Sequence, residues 1–203
     1  IKVFFILATA IAVMGKFLTI KIENKSYEKV FKIMFNTKFL PENPQEMEIF
    51  QKVVTLSRLV RNFYTGLSLS ALSALFMTQY LSDNDEMPVT VYNPIDLDTK
   101  WKYNLMYVYQ CLSLSVLCLV NVAFDSLSTS FFIHIKGQLE MLGLRLENIG
   151  ANRSQDFILW QLKDCVRYYN RIMQLSHTIE NLVSIPISLQ IACSVFVLIA
   201  NFY

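Results

Sequence analysis

The 203-residue sequence predicts an all-α, polytopic helical membrane protein whose helices carry amphipathic extensions that form a cytoplasmic anchor layer, and three features predict it. Hydrophobic residues make up 54% of the chain against 17% charged, and only five Gly and five Pro interrupt it. The stretch from Tyr103 to Phe124 has no charged side chain and, at ~1.5 Å per residue, is long enough to cross a hydrocarbon core of about 30 Å. Beyond it Leu127, Phe131, Ile135, Leu139, Leu142 and Leu146 step by three or four, while Asp125, His134, Lys136, Glu140, Arg145 and Glu147 enter between them. That is amphipathic helical spacing, and no Pro breaks it. One helix is therefore expected to leave the bilayer and continue into water.

The elements follow in order as one partial transmembrane domain over residues 1–203. A first span, about 1–20, is apolar from residue 3 to residue 15 and closes with Gly15-Lys16; it lacks the small-residue cleavage pattern of a signal peptide. Because the chain begins at Ile1 without a Met and stops at Tyr203 inside an uncharged run, it reads as a piece of a longer protein. Residues 21–62 form a water-facing segment. Tyr27, Val30, Phe31 and Met34 make an apolar stripe on its first helix, and breaks fall at Asn36-Thr37 and between Pro41 and Pro44. A second span, about 63–81, carries the small residues Gly66, Ser68, Ser70, Ala71, Ser73 and Ala74, which suit close helix packing or a cavity. An outer loop, about 82–102, precedes the third span, about 103–127. Residues 128–181 contain the amphipathic extension, a turn near 148–154, and a helix from Asp156 to Glu180. On that helix Phe157, Trp160, Leu162, Val166, Tyr169, Met173 and Ile179 are the expected buried positions. A fourth span, about 182–203, contains Pro186 as an expected kink.

Charge sets the orientation. Lys16 to Arg61 holds nine Lys or Arg against five acidic residues, and Ser82 to Trp101 holds five acidic residues against Lys100. Cytoplasmic segments carry the excess of Lys and Arg, so 21–62 and 128–181 are expected inside and 82–102 outside. The sequons at Asn24 and Asn152 then face the cytoplasm and are expected to be unused.

The same residues exclude several chemistries. Cys111, Cys118, Cys165 and Cys193 are scattered without CxxC spacing, and neither His134 nor His177 has a second ligand at metal spacing. No metal or cofactor is expected. No catalytic motif for a nucleophile, a metalloprotease, a phosphate loop or a dinucleotide is present, so the chain does not read as an enzyme. A net charge of only +2, with its basic excess beside spans, argues against nucleic acid. Asp125, at the inner end of a span, needs a partner, and water or Arg61 is the expected one.

Several patterns in order resemble the insect odorant receptors. They are Met87-Pro88, Tyr92-Asn93-Pro94 and Asp96 before a Tyr-rich helix start; Tyr107-Val108-Tyr109-Gln110; and Asp125-Ser126-Leu127 opening an extension with His134, Gln138-Leu139 and Leu142. The run from Leu162 to Asn170 and then Ile179-Glu180-Asn181 continues the likeness, with Tyr168-Tyr169 departing where that family often has His. The resemblance implies the second to fifth helices of a seven-helix, multi-pass plasma-membrane protein. It also implies a subunit of an odorant-gated, non-selective cation channel for small volatile molecules, joined to a co-receptor subunit in a hetero-tetramer around a pore lined by the seventh helix. Ligands in that family bind in the outer half of the bundle. Carried onto this chain, that selects Phe4, Phe5 and Ala8 on the first span, Ser70, Ser73, Met77 and Tyr80 on the second, and Tyr103, Tyr107, Gln110 and Leu114 on the third. A G-protein-coupled chemoreceptor is the alternative from another class; against it, the outer loop has no Cys and no span ends in an Asp-Arg-Tyr type motif.

Overall fold

A computed structural model describes residues 2–80, 87, 89, 99–149 and 154–202, with side chains described for 6–78, 87, 89, 99–149 and 154–200. Among the described residues five α-helices and one 3-10 turn follow one another: α1 Lys2–Ile22, α2 Asn24–Met34, the turn Thr37–Phe39, α3 Pro44–Tyr80, α4 Lys100–Glu147 and α5 Gln155–Phe202. There is no strand among the described residues. Two helices, α4 and α5, are long and apolar enough to cross a membrane. The chain is an all-α helical membrane protein. Most of the outer loop and the Asn152 sequon lie outside the described residues.

The uninterrupted helix expected after Tyr103 is present, since α4 runs for 48 residues through Asp125 to Glu147. Two other helices are longer than the sequence pattern implies. In α3 the amphipathic piece and the second span form one 37-residue helix, because no breaker stands between Arg61 and Phe63. In α5 the helix from residue 156 and the fourth span form one 48-residue helix with Pro186 inside it. Pro186 costs the Leu182 carbonyl its usual donor but does not end the helix; it is fully buried, and its neighbours hold the backbone in place.

The chain divides into two compact units, one of Ile1–Leu18, Arg61–Asp125 and Pro186–Tyr203, the other of Thr19–Val60 and Ser126–Ile185. The second unit is built on a buried polar network. Pro44 opens α3 with the fixed φ that suits a first helical position, and Glu46 two residues later accepts the backbone N–H of Glu42 at 2.9 Å. The same carboxylate receives a two-pronged bond from Arg145 of α4, Nε at 2.8 Å and Nη2 at 2.9 Å. Arg145 lies 4.6 Å from the centre of the Tyr168 ring, and the Tyr168 hydroxyl donates to Gln138 Oε1. Gln138 Nε2 in turn donates to the Phe39 carbonyl at 3.3 Å. Burial pushes the Tyr168 hydroxyl up to about 12, so it stays a donor. One chain of bonds thus fixes the 3-10 turn, the start of α3, and α4 and α5 against each other.

Close packing supplies the rest. Gly137 of α4 sits where a Cβ would run into the Val53 side chain of α3, and Val is stiff about χ1, so glycine is what lets the two backbones approach. Phe31 of α2 meets Phe131 edge to face at 5.9 Å, while Tyr27 and Val30 are buried beside it. On α5 the buried face differs from the expected one. Of the expected positions Ile179 is buried, together with Cys165, Tyr168, Ile172, Leu175 and Leu182, whereas Phe157, Trp160, Leu162, Val166, Tyr169 and Met173 are exposed. The buried set steps by three or four, and so do Leu162, Val166, Tyr169 and Met173, so period alone could not choose between them.

Glu46 makes this unit sensitive to acid. Burial pushes its carboxyl up, but the Arg145 bonds and the Glu42 N–H outweigh burial and hold it below its ordinary 4.5. The folded state therefore binds its proton more weakly than the unfolded chain does. Its contribution to stability is complete above the unfolded value and is lost as pH falls through the folded one. Arg145→Met, which leaves a buried carboxylate alone, is expected to cost about 3–5 kcal/mol at neutral pH. Glu46→Gln should flatten the loss of stability on acidification. Unfolding midpoints measured across pH in a fixed detergent check both; an Arg145→Met midpoint equal to the parent's would contradict the network.

Candidate functional site

The expected outer-half positions lie in the first unit, on α1, α3 and α4. Tyr103 and Tyr107 stand one turn apart on α4, with ring centres 6.4 Å apart and nearly parallel. The Tyr107 hydroxyl donates to the Phe76 carbonyl at 3.1 Å, which ties α4 to α3 one residue from Met77. Gln110 is buried, and its amide is fully engaged: Oε1 accepts from the Val89 N–H at 3.0 Å, and Nε2 donates to the Val89 carbonyl at 3.2 Å. It clamps the outer segment to α4 as a neighbouring β-strand would. Leu114 is half-buried, Met77 is exposed, and Ser70 and Ser73 are exposed with their hydroxyls bonded back to Leu67 and Ser70 carbonyls of their own helix. The structure thus draws Tyr103, Tyr107 and Gln110 together with the Phe76–Met77 turn of α3. The side chains of Phe4, Phe5 and Tyr80 lie outside the described residues.

Ala8 is placed differently. It is buried and lines two cavities with α5, a larger one of about 420 Å³ and an apolar one of about 330 Å³. The larger cavity is walled by Ala8, Thr9 and Ala12 of α1, by Asn121 of α4, and by α5 residues that include Gln190 and Ser194. Among the described residues, none of the other expected positions lines either cavity.

Beside the larger cavity lies an ion pair that sequence reasoning assigned wrongly. Asp125 is not paired with Arg61, whose guanidinium is exposed and lies 3.4 Å from Asn62 Oδ1. Its partner is Lys16 of α1, at 2.6 Å and 0% exposed. The Lys16 ammonium also donates to Asn121 Oδ1 at 2.5 Å and lies 5.3 Å from the centre of the Phe124 ring. Gln190 Nε2 of α5 reaches Asp125 Oδ2 at 3.5 Å. A buried ammonium needs this much: a countercharge, a second acceptor and an aromatic face. The missed signal was available, because Lys16 closes an otherwise apolar run one residue after Gly15, where a Cβ would come within 2.5 Å of Leu189. Gly15 lets α1 lie close to α5, and Lys16 on the next step is then covered.

Lys16→Met is expected to leave Asp125 uncompensated and to lower the unfolding midpoint strongly, on the scale of about 3–5 kcal/mol. Lys16→Met with Asp125→Leu should recover much of the loss, since it removes both charges. Thermal unfolding of the three proteins in one detergent decides the point; a double variant no better than the single would show that the two charges do not act as a pair.

Comparison with known proteins gives the same family along the entire chain. The family model described as 7tm Odorant receptor matches residues 1–203. Odorant receptor 46a, isoform A, of Drosophila melanogaster is 43% identical over 206 residues, covering 100% of this chain and 54% of the relative. Isoform B of the same receptor is 30% identical with the same coverages, and Odorant receptor 94a of Drosophila melanogaster is 22% identical over 208 residues, covering 100% of this chain and 52% of the relative. The chain spans about half the length of the curated relatives it matches. With α4 and α5 long enough to span a bilayer and the family match unbroken from the first residue to the last, the chain belongs to the insect 7tm odorant receptor family.

Proposed function

We propose that this chain supplies the ligand-recognising helices of an odorant-gated, non-selective cation channel subunit. The subunit spans the plasma membrane several times and works beside a co-receptor subunit in a hetero-tetramer. The observation that carries the reading is the family match over residues 1–203, supported by a relative named as an odorant receptor at 43% identity. The first and third spans run inward and the second outward, with 21–62 and 128–181 in the cytoplasm, in keeping with the excess of Lys and Arg between Lys16 and Arg61.

The odorant site on this reading is the outer half of the bundle, where Tyr103 and Tyr107 offer aromatic surface, Met77 offers a polarisable thioether, and Leu114 closes one side. Phe4, Phe5, Ala8, Ser70, Ser73 and Tyr80 complete the region, and Gln110 shapes it by holding the Val89 segment. Aromatic and thioether groups give a volatile molecule dispersion contacts without a large desolvation cost.

Tyr107 separates this role from a purely structural one. In the full-length receptor, Tyr107→Ala removes a ring worth ~1–3 kcal/mol of ligand contact, a rise of up to about a hundredfold in half-maximal concentration. Tyr107→Phe keeps the ring and loses only the bond to Phe76, so it should lower surface expression more than it reorders ligands. A dose–response panel normalised to surface level tests the site. Half-maximal concentrations unchanged for every active odorant in Tyr107→Ala and Met77→Ala would remove the outer half as the odorant site.

A further inference from the structure

We propose that the cavity beside the Lys16–Asp125 pair is a second ligand site, sharing only Ala8 with the outer-half region among the described residues, and that it takes a small aliphatic alcohol. The inference rests on side-chain chemistry in the first unit and stands whether or not the parent protein conducts ions.

The ion pair orients the two amides that line the cavity. An ammonium has no acceptor, so Asn121 must turn its oxygen to Lys16, and it does so at 2.5 Å. A carboxylate paired with an ammonium has no donor, so Gln190 turns its nitrogen toward Asp125 Oδ2 at 3.5 Å. Each amide keeps one group outside the pair: the Asn121 NH2 on α4 and the Gln190 carbonyl on α5. Both residues line the cavity of about 420 Å³. Beside the Thr9 and Ser194 hydroxyls, the two amides therefore give the site one donor and one acceptor on separate helices, their identities fixed by charges they do not share with a ligand.

A hydroxyl both accepts and donates, so it can answer Asn121 and Gln190 together. A ketone or an ester answers only Asn121, and an alkane answers neither. Ala8, Ala12 and Val197 give the remaining wall an apolar character that suits a short alkyl chain. The volume falls in the range of small-molecule pockets. Water also satisfies both amides, but it gains nothing from the apolar wall. Affinity should therefore climb about fourfold per added methylene until the chain outgrows the cavity.

The test is photolabelling of the full chain in lipid nanodiscs with a diazirine-bearing octanol, with labelled peptides located by mass spectrometry. Label is expected on α5 between residues 190 and 198. It should be competed by 1-hexanol, about 2- to 10-fold less well by 2-hexanone, and not by hexane. Gln190→Leu should abolish the preference for alcohol over ketone, whereas Asn121→Leu should weaken competition by both and leave the preference in place. Because those variants touch the ion pair, Ser194→Phe serves as an independent filler; it leaves Lys16, Asp125, Asn121 and Gln190 in place and should remove the label. Equal competition by alcohol, ketone and alkane, or label unmoved by Ser194→Phe, would overturn the proposal. Label confined to the Met77 and Tyr107 peptides would overturn it too, while leaving the odorant reading intact.

Discussion

The interaction on which the first unit depends is the burial of one positive charge. Lys16 is completely covered, and a covered ammonium is tolerable only where several groups compensate it at once. Asp125, Asn121 and the Phe124 ring do so from a single face of α4, and Gln190 extends the set to α5. Apolar helices slide over one another at little cost, because lipid and Leu are equally apolar. A pair of opposite charges with directed bonds allows one register for α1 against α4. Gly15, one residue earlier, makes the approach of α1 to α5 close enough for that register to be sealed.

The second unit solves a related problem with different residues. There the charge is Arg145, and its planar fork matches the Glu46 carboxylate with two bonds where Lys16 can offer only a point charge. An amide again links the charged centre to its surroundings, as Gln138 joins Tyr168 to the Phe39 carbonyl. Glu46 lies in the first turn of α3, where its negative charge also suits the helix N-terminus. Each unit thus has one buried or partly buried ion pair extended by amides and set among buried apolar side chains.

How much of this was legible in the sequence follows from which signals are local. The length of α4 could be read because an uncharged run passes into amphipathic spacing with no breaker. The continuity of α3 and α5 could not, because a change from polar to apolar composition looks like an element boundary even where the backbone does not turn. Pro186 strengthened that impression, although burial holds it within the helix. The buried face of α5 was ambiguous because two apolar stripes share its length. Pairing was the least visible property: Asp125 has Lys16 as its partner across 109 residues, and nothing near it in sequence points there. Gln110 likewise looks like a group free for a ligand until the Val89 backbone is seen to occupy both ends of its amide.

The two proposed ligand regions are an aromatic one on α3 and α4 and a cavity beside the ion pair on α1, α4 and α5. The proposed channel function requires that ligand binding be coupled directly to a pore in the same assembly. Recording from excised membrane patches that contain the full-length parent and the proposed co-receptor, bathed in solution free of nucleotides, tests that coupling most directly. The account predicts that an active odorant opens a non-selective cation current in the excised patch. A current that appears only when GTP or a cytoplasmic second messenger is supplied would contradict it and place the protein among receptors that signal through G proteins.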